Sequence, residues 1–387
     1  MSSNRNNPSA IVIGAGMTGI LVAIKLKEAG ISDITVIEKK ESIGGTWREN
    51  TYPGIACDVP SHAYTYSFAP NPNWSSHFPH GAEIHQYFTD VWQKYGIDKL
   101  TRFNETVTSC IYAEDRQQWT VKTSRGDILS ADLLFSACGL LHHPKFPEID
   151  GFDNFSGSKF HSSQWDHNVE LRGKRIGVIG TGSTAAQIIP ELVNLEGTDV
   201  TVFQRTPQWM VSMDDHDFSA EEKLRFAKQP WRMKMIRQIS KIVYSLGTLA
   251  LTGDSWFHRL CHKLMTKNGK DTLKNAVADP ELRAKLTPEY KFGCKRVIIT
   301  SKFYPAIQKH NAHLITDGIE RFEADGIRCK NGTLHKLDII VMATGFDAAA
   351  FMRPMEFIGK NNLSIEQAWQ KKIRAYRSLF LPGFPNF

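Results

Sequence analysis

The chain has 387 residues, 41% hydrophobic and 22% charged, which is ordinary for a globular protein and long enough for two or three domains with sizeable cores. Its 47 Lys and Arg against 40 Asp and Glu give a formal charge of +7; the basic residues read as scattered, so anionic cofactors account for the excess and no nucleic acid partner is expected. Six cysteines, Cys57, Cys110, Cys138, Cys261, Cys294 and Cys329, lie far apart with no CxxC pair, which argues against a disulfide framework, a metal cluster and a flavin-disulfide reductase, and points to a reducing, cytoplasmic setting.

After a polar start with no room for a signal peptide, the apolar run Ala10-Ile11-Val12-Ile13 leads into Gly14-Ala15-Gly16-Met17-Thr18-Gly19 and then an apolar-periodic segment that stops at Gly30. This is a strand, a glycine-rich turn and a helix, the arrangement in which glycines let backbone approach a pyrophosphate at a helix N-terminus. The design recurs 166 residues later, where Ile176-Gly177-Val178-Ile179 precedes Gly180-Thr181-Gly182-Ser183-Thr184-Ala185. Two such loops in register predict an α/β protein with two Rossmann-like domains. The ends of their second strands separate the ligands. Glu38 closes Ile34-Thr35-Val36-Ile37, where a carboxylate can accept hydrogen bonds from a ribose, so the first loop suits FAD or NAD. Gln204 and Arg205 stand at the equivalent place after Val200-Thr201-Val202-Phe203, and a guanidinium there suits the 2′-phosphate of NADP(H).

Past Glu38 the stretch Gly44-Gly45-Thr46-Trp47 through Tyr52-Pro53-Gly54 to Asp58 reads as a structured loop beside the first site. Two Asp-led apolar strands ending in glycine repeat one another, at 131–139 and at 337–345. They suggest nested domains: a first FAD part over 1–147, a linker over 148–170, an NADP domain over 171–334, and a second FAD part over 335–387 in which Gly345 approaches the cofactor. Within the NADP domain, about 214–290 is rich in Lys, Arg, Met, Leu and Trp. Trp231, Met235, Ile239, Ile242 and Val243 fall at helical spacing, with Arg232, Arg237 and Lys241 off that stripe, which predicts a helical insertion packed through its apolar face. A membrane-surface or lid role is the less favoured reading of the same pattern.

Between the two loops, Phe155-Ser156-Gly157-Ser158-Lys159-Phe160-His161-Ser162-Ser163-Gln164-Trp165-Asp166 fits F-x-G-x-x-x-H-x-x-x-W-[P/D] at Phe155, Gly157, His161, Trp165 and Asp166. The chain thereby resembles the type I Baeyer-Villiger monooxygenases, of the flavin-containing monooxygenase superfamily. The segment from Gly44 to Asp58 resembles the one running along the family's flavin, so that Gly45, Thr46, Trp47 and Asp58 are implied to bind it. Val202 to Pro207 resembles the NADPH phosphate site, with Arg205 and Thr206, beside the loop residues Ser183 and Thr184. Phe292-Gly293-Cys294-Lys295-Arg296 resembles the segment with the active-site arginine, Lys295 facing the NADP phosphate.

The resemblance implies that NADPH reduces FAD, O2 adds to the reduced flavin, and the resulting peroxyflavin attacks a ketone to give an ester or lactone. It implies Arg296 as the charge that stabilises this oxygen and Asp58 as its orienting partner. Heteroatom substrates are an alternative. Leu381 to Phe387 looks like a segment after which family members run on, so a truncated, non-catalytic FAD- or NADP-binding relative is the other class of function considered.

Overall fold

The computed structural model describes residues 7–350 and 352–387. They fall into two compact units: one comprises the chain up to Glu49, Ile84–Pro144 and Phe346–Phe387, and the other Asn50–Glu83 and Lys145–Gly345.

The first unit holds a four-stranded parallel sheet, in the order Thr101–Arg102, Ile34–Ile37, Ala10–Ile13, Leu133–Ser136. All four residues of Ala10–Ile13 are buried, because a central parallel strand is covered on both faces and so tolerates no polar alternation. Helix Met17–Glu28 follows it and buries Ile20, Ala23 and Ile24. A second sheet pairs Val107–Ala113, Gln118–Thr123 and Ile128–Ala131 antiparallel and adds Glu356–Ile358 parallel at its edge. Between the sheets Trp119, Leu134 and Phe357 are fully buried with Phe384. The segment near residue 385 is part of this core: the Trp119 indole donates to the Pro385 carbonyl at 2.8 Å, and the Leu134 amide to the Asn386 carbonyl at 3.0 Å.

The second unit repeats the plan with a five-stranded parallel sheet, in the order Ala312–Ile315, Asp199–Phe203, Arg175–Ile179, Ile339–Met342, Ser158–His161. Helix Ser183–Val193 covers it, and Ile188, Ile189 and Leu192 are completely buried. The insertion consists of helices Ala220–Lys228, Trp231–Thr252, Trp256–Ala276 and Pro280–Leu286. Its apolar stripe does not pack as the periodicity suggested: Trp231, Met235, Ile239, Ile242 and Val243 are all exposed, and the buried positions of that helix are Met233, Ser240 and Ala250.

Two boundaries differ from the sequence reading. Strand Ile339–Met342 lies in the second sheet beside Arg175–Ile179, so 335–345 belongs to the second unit. The two Asp-led strands are equivalents, each being the neighbour of its unit's fingerprint strand. Their aspartates do matching work: Asp132 accepts from the Ser9 amide and hydroxyl at 2.8 and 2.9 Å, and Asp338 accepts from the Arg175 amide and guanidinium at 2.9, 3.1 and 2.7 Å. The Arg175 hydrogen bonds hold the Asp338 carboxyl down at about 2. Each thus latches the start of a fingerprint strand. Residues Asn50–Glu83 also group with the second unit. The Tyr52 hydroxyl donates to Gln187 Oε1 at 3.0 Å and the Gln187 amide donates to the Ala56 carbonyl at 2.8 Å, tying this loop to the second fingerprint helix.

Candidate active site

In the first unit, Gly14 turns the chain at φ +101°, and a Cβ there would lie 2.7 Å from the Ala137 carbonyl oxygen. Glu38 is buried at the end of its strand and accepts from the Ala15 amide at 2.8 Å and the Lys40 amide at 3.1 Å. It therefore shapes the loop through its own carboxylate, with acceptor capacity left on each oxygen for a ribose hydroxyl. A Cβ on Gly45 would lie 3.3 Å from the Gly16 Cα, so the two strips of backbone meet with no side chain between them, and Thr46 and Trp47 follow in the short helix Thr46–Glu49. Gly16 caps helix Met17–Glu28 without any side-chain hydrogen bond, and its first turn holds no acidic residue. An open glycine cradle at an uncapped, carboxylate-free helix N-terminus fits a bound pyrophosphate. Gly19 lies in the first turn of that helix, where a Cβ would run into the Gly14 carbonyl.

The second unit is built alike. Gly180 takes φ +116° against the Ala343 carbonyl, Gly182 caps helix Ser183–Val193 with no side-chain bond, and the space a Cβ at Gly182 would occupy is open. Ser183 and Thr184 begin that helix, half-buried. The Thr181 hydroxyl donates to the Thr206 carbonyl at 3.1 Å and so ties the loop to the end of the next strand. There Gln204 is buried and donates to the Lys285 carbonyl at 2.7 Å, whereas Arg205 is exposed with no ion pair among the described residues. A guanidinium left unpaired at this place fits a 2′-phosphate. Lys295 is exposed, its ammonium 4.8 Å from the centre of the Tyr290 ring.

Asp58 and Arg296, 238 residues apart in sequence, meet in this unit. Arg296 Nη2 donates to Oδ1 at 2.7 Å and to Oδ2 at 2.5 Å. The carboxylate is 18% exposed and the guanidinium side chain 67%. Asp58 thus engages one guanidinium nitrogen and leaves the others without a partner among the described residues. The segment carrying Asp58 is pinned by the insertion: Arg237 Nη1 donates to the Ala63 and Thr65 carbonyls at 3.1 and 2.6 Å, and the Tyr244 hydroxyl to the Asp58 carbonyl at 3.3 Å. A cavity of about 60 Å³ opens beside Asp58, lined also by Cys57, Gln187, Thr300 and Lys302. Burial pushes the Cys57 thiol up to about 12, so it stays protonated and is not a nucleophile here.

Residues 11–242 match the family described as pyridine nucleotide-disulphide oxidoreductase. All six cysteines are free, so the match resides in the nucleotide-binding scaffold. An uncharacterized monooxygenase of Mycobacterium tuberculosis is 42% identical over 380 residues, covering 98% of this chain and 75% of that protein. A Baeyer-Villiger monooxygenase of Pseudomonas aeruginosa is 36% identical over 375 residues, covering 97% and 70%. This chain belongs to the Baeyer-Villiger monooxygenase family. The crystal structure of OTEMO in complex with FAD and NADP superposes with a TM-score of 0.82 at 29% identity, covering 98% of this chain and 79% of that one.

The fingerprint that Baeyer-Villiger monooxygenases share is here a packing device. His161 is fully buried; its Nε2 donates to the Gly345 carbonyl at 3.0 Å, which leaves Nδ1 to accept from the Ser163 amide at 3.2 Å. Burial lowers its pKa, against the Gly345 bond, and keeps the ring neutral. The same Gly345 carbonyl accepts from the Lys145 amide at 2.9 Å, so His161 fastens together the entry and exit of the second unit. Gly345, expected in the second FAD part, is the last residue of the second unit. Phe155 and Trp165 are buried, Trp165 packing edge-on against Phe160 at 5.0 Å. Any side chain at Gly157 would strike the Asp338 carbonyl and the Phe155 ring. Asp166 is exposed and holds a turn by accepting from the Asn168 amide at 2.9 Å.

One residue the sequence reading missed is His62, four positions past Asp58. It is 4% exposed, stacks against Phe218 at 5.5 Å and meets Phe226 edge-on at 4.4 Å, and neither ring nitrogen has a hydrogen-bond partner among the described residues. Burial, with the neighbouring His77, lowers its pKa from 6.5 to about 4. The unfolded chain therefore takes up this proton first as pH falls below about 6.5, and stability drops with pH until the folded ring also titrates near 4. Urea unfolding should show about 2 kcal/mol lost through His62 between neutral pH and pH ~5. His62→Phe should flatten that part of the profile; an unchanged pH dependence in the variant would assign the loss elsewhere.

Proposed function

We propose that this chain is an FAD- and NADPH-dependent monooxygenase that inserts one oxygen atom of O2 into a small-molecule ketone, giving an ester or lactone. The observation that carries the reading is Arg296 held by Asp58 through one nitrogen, with its side chain otherwise 67% exposed. Bound flavin would supply the electron transfer and oxygen activation. The chain's own part is binding and charge. The loop at Gly14, Gly16 and Gly19, with Glu38, Gly45, Thr46 and Trp47, cradles FAD, and the loop at Gly180 and Gly182, with Ser183, Thr184, Arg205, Thr206 and Lys295, cradles NADPH. Arg296 supplies guanidinium N–H groups to negative oxygen developing in the transition state. Asp58 restricts its orientation, which is the preorganisation that makes such a donor effective.

The test is to supply FAD and NADPH to the purified protein and analyse products from ketones. NADPH consumption that rises with ketone, together with ester or lactone formation, supports the reading. Products only from amines or sulfides would replace it with heteroatom oxygenation, and a protein that cannot be reconstituted with FAD would remove it. The NADPH assignment has its own check. One charged hydrogen bond contributes about 1.5–3 kcal/mol, so Arg205→Ala should raise the KM for NADPH roughly 10- to 100-fold and barely change that for NADH. Equal effects on the two nucleotides would take the 2′-phosphate away from Arg205.

A further inference from the structure

Helices Trp231–Thr252 and Trp256–Ala276 are joined by a three-residue turn and turn apolar side chains to water along the first helix and across the turn. Ile242 is 58% exposed, Leu246 50%, Leu249 48%, Trp256 71% and Leu260 45%. In the first helix these lie at helical spacing with Trp231, opposite the face on which Arg237 and Met233 point inward. The inner face carries the Arg237 contacts, whereas the outer side chains are about half exposed or more.

Charge is concentrated on the same hairpin. Residues 231–276 contain nine Lys or Arg and only Asp254 and Asp271 of opposite sign, a net +7. Taking nine from 47 and two from 40 leaves 38 of each sign, so the rest of the chain is neutral. The basic residues are therefore not scattered in their net effect. Lys241, Arg259, Lys263 and Lys267 are exposed beside the apolar side chains. No helix among the described residues is long and apolar enough to cross a membrane.

We propose that this hairpin is a peripheral docking surface for an anionic lipid bilayer, lying in the plane of the interface. Exposed Trp and Leu would enter the boundary between headgroups and acyl chains, and the flanking Lys and Arg would meet lipid phosphates and carboxylates. A second copy of the chain is disfavoured as the occupant, because a symmetric contact would bring two +7 surfaces together.

The experiment is flotation of the purified full chain with vesicles of phosphatidylcholine alone and of phosphatidylcholine mixed with phosphatidylserine. At low salt the protein should float with the mixed vesicles, at least about tenfold more tightly than with phosphatidylcholine, and high salt should release it. The triple variant Leu246→Ser, Leu249→Ser, Trp256→Ser should lose flotation while keeping the parent's circular dichroism. Lys263→Gln with Lys267→Gln should narrow the difference between the two vesicle types. Failure to float with anionic vesicles, or equal flotation of parent and triple variant, overturns the proposal. So does a parent that sediments as a dimer and a triple variant that sediments as a monomer, which would make the outer face a contact between copies.

Discussion

Replacing Arg296 by alanine should leave NADPH able to reduce the bound flavin and cut ketone oxygenation by roughly 10²–10³, the loss typical of removing one preorganised donor to developing negative charge. The geometry makes the separation sharp. Arg296 touches the rest of the protein through the Asp58 carboxylate, at 2.7 and 2.5 Å, and its side chain is otherwise 67% exposed. Its removal therefore takes away a charge without opening a cavity in a core. Because no buried packing is lost, the fold and the nucleotide loops stay intact and flavin reduction reports on them independently. Arg296→Lys tests the donor geometry: an ammonium keeps the charge but loses the planar fork that lets one nitrogen bind Asp58 while others face outward. Rapid-mixing measurements of flavin reduction, beside product yield, distinguish the steps. Parent-level product from Arg296→Ala would assign oxygen stabilisation to another group, and loss of reduction and oxygenation together would make Arg296 a nucleotide-binding residue.

How far the sequence could be read depended on whether the deciding interaction is local. The glycine loops are local: turn, helix start and strand end lie within about 25 residues of each other, so the position of Glu38 and of Arg205 could be read by counting. The proximity of Asp58 and Arg296 was legible only through the family resemblance, since nothing in composition or periodicity relates residues 238 apart. The allocation of Asn50–Glu83 to the second unit was not legible at all. It rests on the Gln187 side chain reaching the Ala56 carbonyl and the Tyr52 hydroxyl, contacts with no pattern in sequence. The repeated Asp-led strands give the nesting but misplace one boundary. The first unit is interrupted by the second, yet the later strand pairs with Arg175–Ile179 inside the second unit, and the first unit resumes only at Phe346. In the insertion, periodicity correctly separated an apolar side from a polar one. It could not say which side meets water, because that depends on what the remainder of the chain offers to each face; here Arg237 finds backbone carbonyls inside and Ile242 finds none of the core.

Gly19→Ala should weaken FAD binding markedly, and the second unit shows why the effect belongs to this position and not to fingerprints in general. A methyl group at Gly19 would run into the Gly14 carbonyl oxygen, with the Gly14 carbonyl carbon 3.0 Å away. The obstacle is backbone, so neither a rotamer change nor a flexible side chain can relieve it. Either helix Met17–Glu28 moves off the sheet or the Gly14 turn opens, and both displace the amides that would face the pyrophosphate. Overpacking of this kind costs about 1–3 kcal/mol, which alone would weaken binding roughly 5- to 150-fold if all of it is released by abandoning the bound geometry. The second loop carries Ala185 at the corresponding place, fully buried, in a helix whose position already accommodates the methyl. Ala185→Gly should therefore leave NADPH binding close to parent and lower stability by only about 0.5–1 kcal/mol, the ordinary cost of glycine in a helix. Flavin content after purification and fluorescence titration with FAD measure the first effect; nucleotide KM and thermal unfolding measure the second. If Gly19→Ala retained FAD as tightly as the parent, the first loop would not be the flavin cradle. If it instead lost NADPH and kept FAD, the assignment of the two cofactors to the two loops would be reversed.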